Sequence, residues 1–132
     1  MRNSLAVITG IVASYAVIIL IELTQMMIYP PPPGLDPMNH DHLLVYMKII
    51  PVAALVFIAV AHLLGTLVGG LVGLKIAGGN RKVGYIIGGI MLTFTVINFF
   101  MIPHPVWFMA LDVSGVVIAF LVYMKLVQPV KN

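Results

Sequence analysis

No cysteine occurs in this chain, and charged side chains are almost as scarce, at 8% of 132 residues. The missing thiols exclude disulfides, thiolate metal sites and cysteine nucleophiles. The missing charge excludes more. Soluble domains are roughly 25% charged, so a chain with this little has nothing with which to cover a water-facing surface. Its expected solvent is lipid. Length excludes a second set of functions. Four spans of about 20–25 residues with short connections use nearly the whole chain, leaving no room for a soluble catalytic domain, a nucleotide-binding domain or a receptor ectodomain.

What is abundant is apolar: 61% of residues are hydrophobic and the mean hydropathy is +1.12. The expected fold is all-α, one integral membrane bundle of four transmembrane helices. The first span is expected at about 5–29, retained and not cleaved as a signal peptide: the apolar run is too long, is interrupted by Glu22 and Gln25, and lacks a small-residue cleavage pattern. Pro30 to Pro33 end it and open an outer loop over 30–42. The second span is expected at about 43–77, longer than a bilayer needs, with Pro51 kinking it or lifting its first turns above the lipid. Gly78, Gly79 and Asn80 make a short turn. The third span covers about 83–102 before Pro103 and Pro105, and the fourth about 106–127 before Pro129.

Orientation follows from the basic residues. Arg2, Lys75, Arg81, Lys82, Lys125 and Lys131 flank ends that four alternating spans put on one side, and only Lys48 falls on the other. That bias makes both termini and the middle loop cytoplasmic, in a plasma membrane of the bacterial inner-membrane type. The net charge of +3 is then a topology signal, with no nucleic-acid partner implied. Tyr29, Tyr46 and Trp107 fall at the expected outer interface, Tyr85 and Tyr123 at the inner one.

Without a water-expelling force between helices, small residues that let backbones approach carry much of the packing in lipid. Gly65, Gly69 and Gly73 form such a stripe on span two, and Gly84 and Gly88 on span three. The spacing predicts that these two faces meet. Gly10 with Ser14 and Gly115 with Ala119 mark the inward faces of spans one and four.

The residues that lipid penalises point to function. A charged side chain at a helix centre costs something like 2.5–3.5 kcal/mol on insertion scales, yet spans one, two and four carry Glu22, His62 and Asp112, and span three carries Asn98. A rise of about 1.5 Å per residue puts Glu22 roughly 26 Å and the other three roughly 21–23 Å from the cytoplasmic ends. His62 shares its stripe with Gly65, Thr66 and Gly69, and Asp112 with Gly115 and Ala119. Four helices each delivering one polar group to a similar height predict a pocket of Glu22, His62, Asn98, Asp112 and Thr66. It is expected to open to the outer face and to bind a small polar ligand, an ion or protons, for transport or sensing. The structural alternative is a buried pair that only fixes helix register.

A second cluster precedes spans two and four. His40 and His42, beside Asp41, and His104, between two prolines, have the residue types of a divalent-metal site. Two further readings stand beside the pocket. One is an intramembrane, possibly metal-dependent, enzyme, since Glu, His and Asp serve acid–base chemistry. No nucleophile with an evident base accompanies them, and Ser114 points off the face of Asp112 by about 200°. The other is an accessory subunit: four helices enclose little volume, so a homo-oligomer or a larger membrane complex is the expected partner, besides the bilayer itself.

Overall fold

The computed structural model describes residues 1–36 and 38–127. Pro129 and Lys131, used above to end the fourth span and to weigh its charge, lie outside them. The described residues form five helices: α1 (Arg2–Ile28), α2 (His40–Tyr46), α3 (Val52–Ile76), α4 (Arg81–Met101) and α5 (Val106–Leu126). All but α2 are long and apolar enough to cross a membrane.

Local chemistry sets the boundaries. The proline run after Tyr29 ends α1, and Tyr29 closes it by donating its N–H to the Gln25 carbonyl. Asn39 opens α2: its side-chain oxygen accepts from the N–H groups of Asp41 and His42. The single span expected over 43–77 is two helices. Pro51 lacks an N–H and disfavours helix in the residue before it, so α2 stops at Tyr46 and α3 restarts after Pro51, whose backbone is extended. The segment expected as one long span, kinked at Pro51 or raised in its first turns, is a short helix followed by a separate helix of 25 residues.

The turn from α3 to α4 also has a chemical cause. Gly78 and Gly79 adopt φ of 64° and 79°, where a side chain is strained. Gly78 N–H then reaches the Lys75 carbonyl and Gly79 N–H the Leu74 carbonyl, capping the end of α3. Asn80 begins α4 by accepting from Lys82 N–H.

Helix α3 packs on α1, α4 and α5; α4 also packs on α5 and, more thinly, on α1. The residue pairings set the directions. Gly10 meets Gly73 and Ser14 meets Gly65, so α1 and α3 are antiparallel, whereas Leu63 with Gly115 and Gly70 with Tyr123 make α3 and α5 parallel. The ends bearing Arg2, Lys75, Arg81, Lys82 and Lys125 therefore gather at one pole, the basic end.

The glycine faces correct the expected pairing of spans two and three. A Cβ on Gly65 would stand 2.8 Å from the Ser14 carbonyl oxygen, and one on Gly69 would strike Ser14 Oγ and the Gly10 carbonyl. At Gly65 and Gly69 the stripe of α3 thus faces α1, whose Gly10 and Ser14 are the small residues that match it, while Gly73 leaves room for Ile87 of α4. Gly84 and Gly88 instead make room for Met124, Phe120 and Tyr123 of α5, with Leu74 the neighbour contributed by α3. Tyr123 is a second correction. It is fully buried and donates its hydroxyl to the Gly84 carbonyl at 2.8 Å, so it belongs to the core and not to an interfacial belt. Large apolar side chains cover the outside, among them Ile8, Val12, Ile19 and Leu20 on α1.

Candidate functional site

Helices α3 and α5 run side by side in the same direction, and His62 and Asp112 each lie 14 residues from the basic ends of their helices. They are therefore level, about 21 Å up, and they meet. His62 Nδ1 lies 2.8 and 2.9 Å from the two Asp112 oxygens. With Asp112 ionised, Nδ1 is the donor of this pair and Nε2 is the nitrogen that faces Glu22. Asp112 is fully buried and His62 nearly so. Glu22 of α1 completes the row: its Oε1 is 3.9 Å from His62 Nε2, and its side chain is 39% exposed. A carboxylate, an imidazole and a second carboxylate thus cross from α5 through α3 to α1, from the sealed interior to an open wall.

That wall belongs to a crevice of about 360 Å³ along the thin contact between α1 and α4. Glu22, His62 and Asn98 line it, with the hydroxyl-bearing Tyr15 and Thr95. Tyr15 and Phe94, whose rings meet edge to face at 5.9 Å, stand lower in it, nearer the basic end. Ile19, Ile97 and Met101 also line it and are exposed on the flanks of the bundle. The exposed rim of the crevice therefore lies on the side of the bundle, between two helices. The reason is the glycine pairing: α1 is drawn tightly onto α3, leaving its edge toward α4 loosely filled.

A second cavity, of about 280 Å³, lies toward the opposite end, between α2, the proline run and the α4–α5 corner. Glu22 and Asn98 line both cavities, and Gln25 and His104 line the second. Gln25 was missed as a site residue, although it follows Glu22 at the i+3 spacing that puts two side chains on one helix face. It is buried, and its Nε2 has no hydrogen-bond partner among the described residues. A buried donor without an acceptor costs about 1–3 kcal/mol.

Thr66 does not join the site. It is fully buried one turn beyond His62, lines neither cavity, and its hydroxyl finds no partner among the described residues. The three outer histidines do not come together either. Among the described residues, no three His, Cys, Asp or Glu side chains gather closely enough to hold a metal ion. His40 is exposed at the start of α2. His42 Nδ1 accepts the Asp36 N–H and holds the outer loop. His104 Nδ1 donates to the Ile102 carbonyl at 2.7 Å while its ring stacks on Phe108 at 4.8 Å. Burial against that ring holds the His104 pKa below the usual imidazole value. The three histidines expected as a divalent-metal set therefore stand apart: one holds a loop, one packs a corner and one faces outward.

The chain matches no protein-family model, no curated protein and no solved structure. The chemistry of the row itself is what remains to read. A histidine fixed by a buried carboxylate on one nitrogen, with its other nitrogen near a second carboxylate at a cavity wall, can take up, pass on or release a proton. It can also orient a donor group bound at Glu22.

Proposed function

We propose that this protein is an integral membrane bundle of four transmembrane helices, with both termini and the α3–α4 turn on the cytoplasmic side of a bacterial-type inner membrane. The exposed apolar flanks of α1, α3, α4 and α5 support the membrane, and the basic end supports the orientation. Because the chain has no cysteine, single-cysteine variants at Lys48 and Lys82 test it directly. A membrane-impermeant thiol reagent applied to intact cells labels the first and spares the second, and the reverse pattern inverts the topology.

Within that bundle, the Glu22–His62–Asp112 row and Asn98 form a binding site for protons or a small polar ligand, used in transport or sensing. The carrying observation is His62 held by Asp112 on one nitrogen, with the other 3.9 Å from Glu22 at the wall of a cavity. Ionisable groups inside a membrane bundle are by default a functional site. Nitrogen-15 NMR of histidine-labelled protein in bilayers tests it. The His62 Nε2 resonance shifts as pH is taken through the imidazole range, and Glu22→Gln changes that response. A resonance indifferent to pH, to added solutes and to Glu22→Gln reduces the row to a structural clasp.

A second reading has one observation in its favour. A buried carboxylate holding an imidazole with its far nitrogen toward a cavity is also the arrangement of a general base. The hydroxyl groups lining the crevice belong to Tyr15 and Thr95, and Thr95 Oγ1 already donates to the Met91 carbonyl. Without an evident nucleophile, the enzyme reading ranks second. Four helices enclose so little space that a homo-oligomer or a larger membrane complex is part of the proposal, and cross-linking in native membranes tests it.

A further inference from the structure

We propose that the α1–α4 crevice takes an amphipathic amine, its ammonium head on Glu22 beside His62 and its hydrocarbon tail running out between the two helices. The inference rests on the ligand-site reading above and names the ligand class.

The direction of opening comes first. The crevice leaves the bundle sideways, past Ile19, Ile97 and Met101, all exposed apolar side chains. A wholly polar solute loses its hydration along such a rim without compensation. A molecule with an apolar tail gains contact there, and one dissolved in the bilayer already lies at the opening.

The chemistry of the head comes next. Asp112 is fully buried and spent on His62, so the carboxylate that meets the crevice is Glu22. An ionised carboxylate accepts and cannot donate, so the bound group has to donate. With both carboxylates ionised, a state that an ammonium bound at Glu22 itself favours, the row is net negative even when the imidazole carries its proton. That field repels a carboxylate or phosphate head, leaves a hydroxyl indifferent, and favours an ammonium.

Size and wetting agree. At about 30 Å³ per water-sized group, a volume of about 360 Å³ holds on the order of a dozen non-hydrogen atoms, close to the whole of dodecylamine. The second chamber shares Glu22 and Asn98, so the far side of the head meets a cavity and not a closed wall. Gln25 and His104 also line that chamber.

The test uses the full chain in lipid nanodiscs with three photoreactive dodecyl probes that differ only in head group: amine, alcohol or carboxylic acid. Labelled residues are located by mass spectrometry. The amine probe is expected to label segments 15–22 and 91–101 about tenfold more than the other two, a difference of about 1.4 kcal/mol. Excess unlabelled dodecylamine should compete it away. Glu22→Gln should remove the preference, and Ile97→Trp, which fills the mouth and leaves Glu22 in place, should lower labelling even if the first variant folds poorly. Equal labelling by all three heads, or a preference that survives Glu22→Gln, overturns the proposal. A preference for the alcohol or acid overturns the amine while leaving a ligand site standing. Equal labelling together with a His62 resonance that responds to nothing overturns both readings.

Discussion

Deleting both members of the His62–Asp112 pair should cost less than the two single deletions added together. Asp112 is fully buried and His62 has 13% of its side chain exposed, with Nδ1 at 2.8 and 2.9 Å from the two carboxylate oxygens. Asp112→Ala leaves a buried Nδ1–H with no acceptor, which costs roughly 1–3 kcal/mol. His62→Ala leaves a buried carboxylate without its donor, which costs at least as much. In the double variant neither group remains to be stranded. Side-chain hydrogen bonds between membrane helices average about 0.6 kcal/mol in such cycles and reach about 1.7. A charge-assisted pair shared between two oxygens belongs at the upper end, about 1–2 kcal/mol. Asp112→Asn, which keeps the shape and one acceptor oxygen, should lose only part of it. Reversible unfolding of all four proteins in bicelles, read by steric trapping, gives the cycle. Independent sites add to within about 0.3–0.5 kcal/mol, so a coupling inside that window refutes the pair as a structural and electrostatic unit.

The remaining predictions concern packing and the outer corner. Gly69→Leu drives a side chain into Ser14 and the Gly10 carbonyl, and should destabilise the α1–α3 seam by about 1–3 kcal/mol, whereas Gly89→Ala meets nothing within 4 Å and should be neutral or stabilising by up to about 1 kcal/mol; unfolding of the two variants in bicelles separates them. Tyr123→Phe removes the hydroxyl that satisfies the Gly84 carbonyl and should cost about 1 kcal/mol in the same assay. Burial keeps the His104 imidazole neutral below its ordinary value, so the unfolded chain takes up that proton first as pH falls. The corner's stabilisation is therefore present above the ordinary imidazole value and is lost as pH drops below it. Trp107 packs on Phe108 beside it, so its fluorescence should report an acid transition that His104→Gln abolishes; a transition unchanged in that variant assigns it to another group.

How much of this was legible beforehand varies by residue. The ends of α1, α4 and α5 were readable because prolines and short turns announce them: Pro30, the Gly78-Gly79-Asn80 turn, Pro103 and Pro105 are local chemistry. Pro51 was readable as a disturbance but not as a complete break. A helix can bend over a proline when neighbours hold it, and whether they do is a tertiary matter. The level of His62 and Asp112 followed from counting along two helices at a fixed rise. That Asp112 lies within hydrogen-bonding distance of His62 while Asn98 faces a cavity did not follow. Counting gives height and leaves the rotation of each helix about its axis nearly free.

The glycines show the same division. Their spacing identified surfaces of close approach, since only a missing side chain lets backbones touch. It could not choose the partner, because several inward faces carry small residues and a stripe is complementary to any of them. Sequence alone thus determined the all-helical composition, the number of long apolar helices and the presence of polar groups where apolar ones are expected, each a property of one segment. The tertiary structure decided that α3 gives Gly65 and Gly69 to α1, and that this tight seam leaves the α1–α4 edge open as a crevice beside Glu22. It also separated His40, His42 and His104. Those outcomes depend on which faces win in competition for the same neighbour, a balance that no single segment contains.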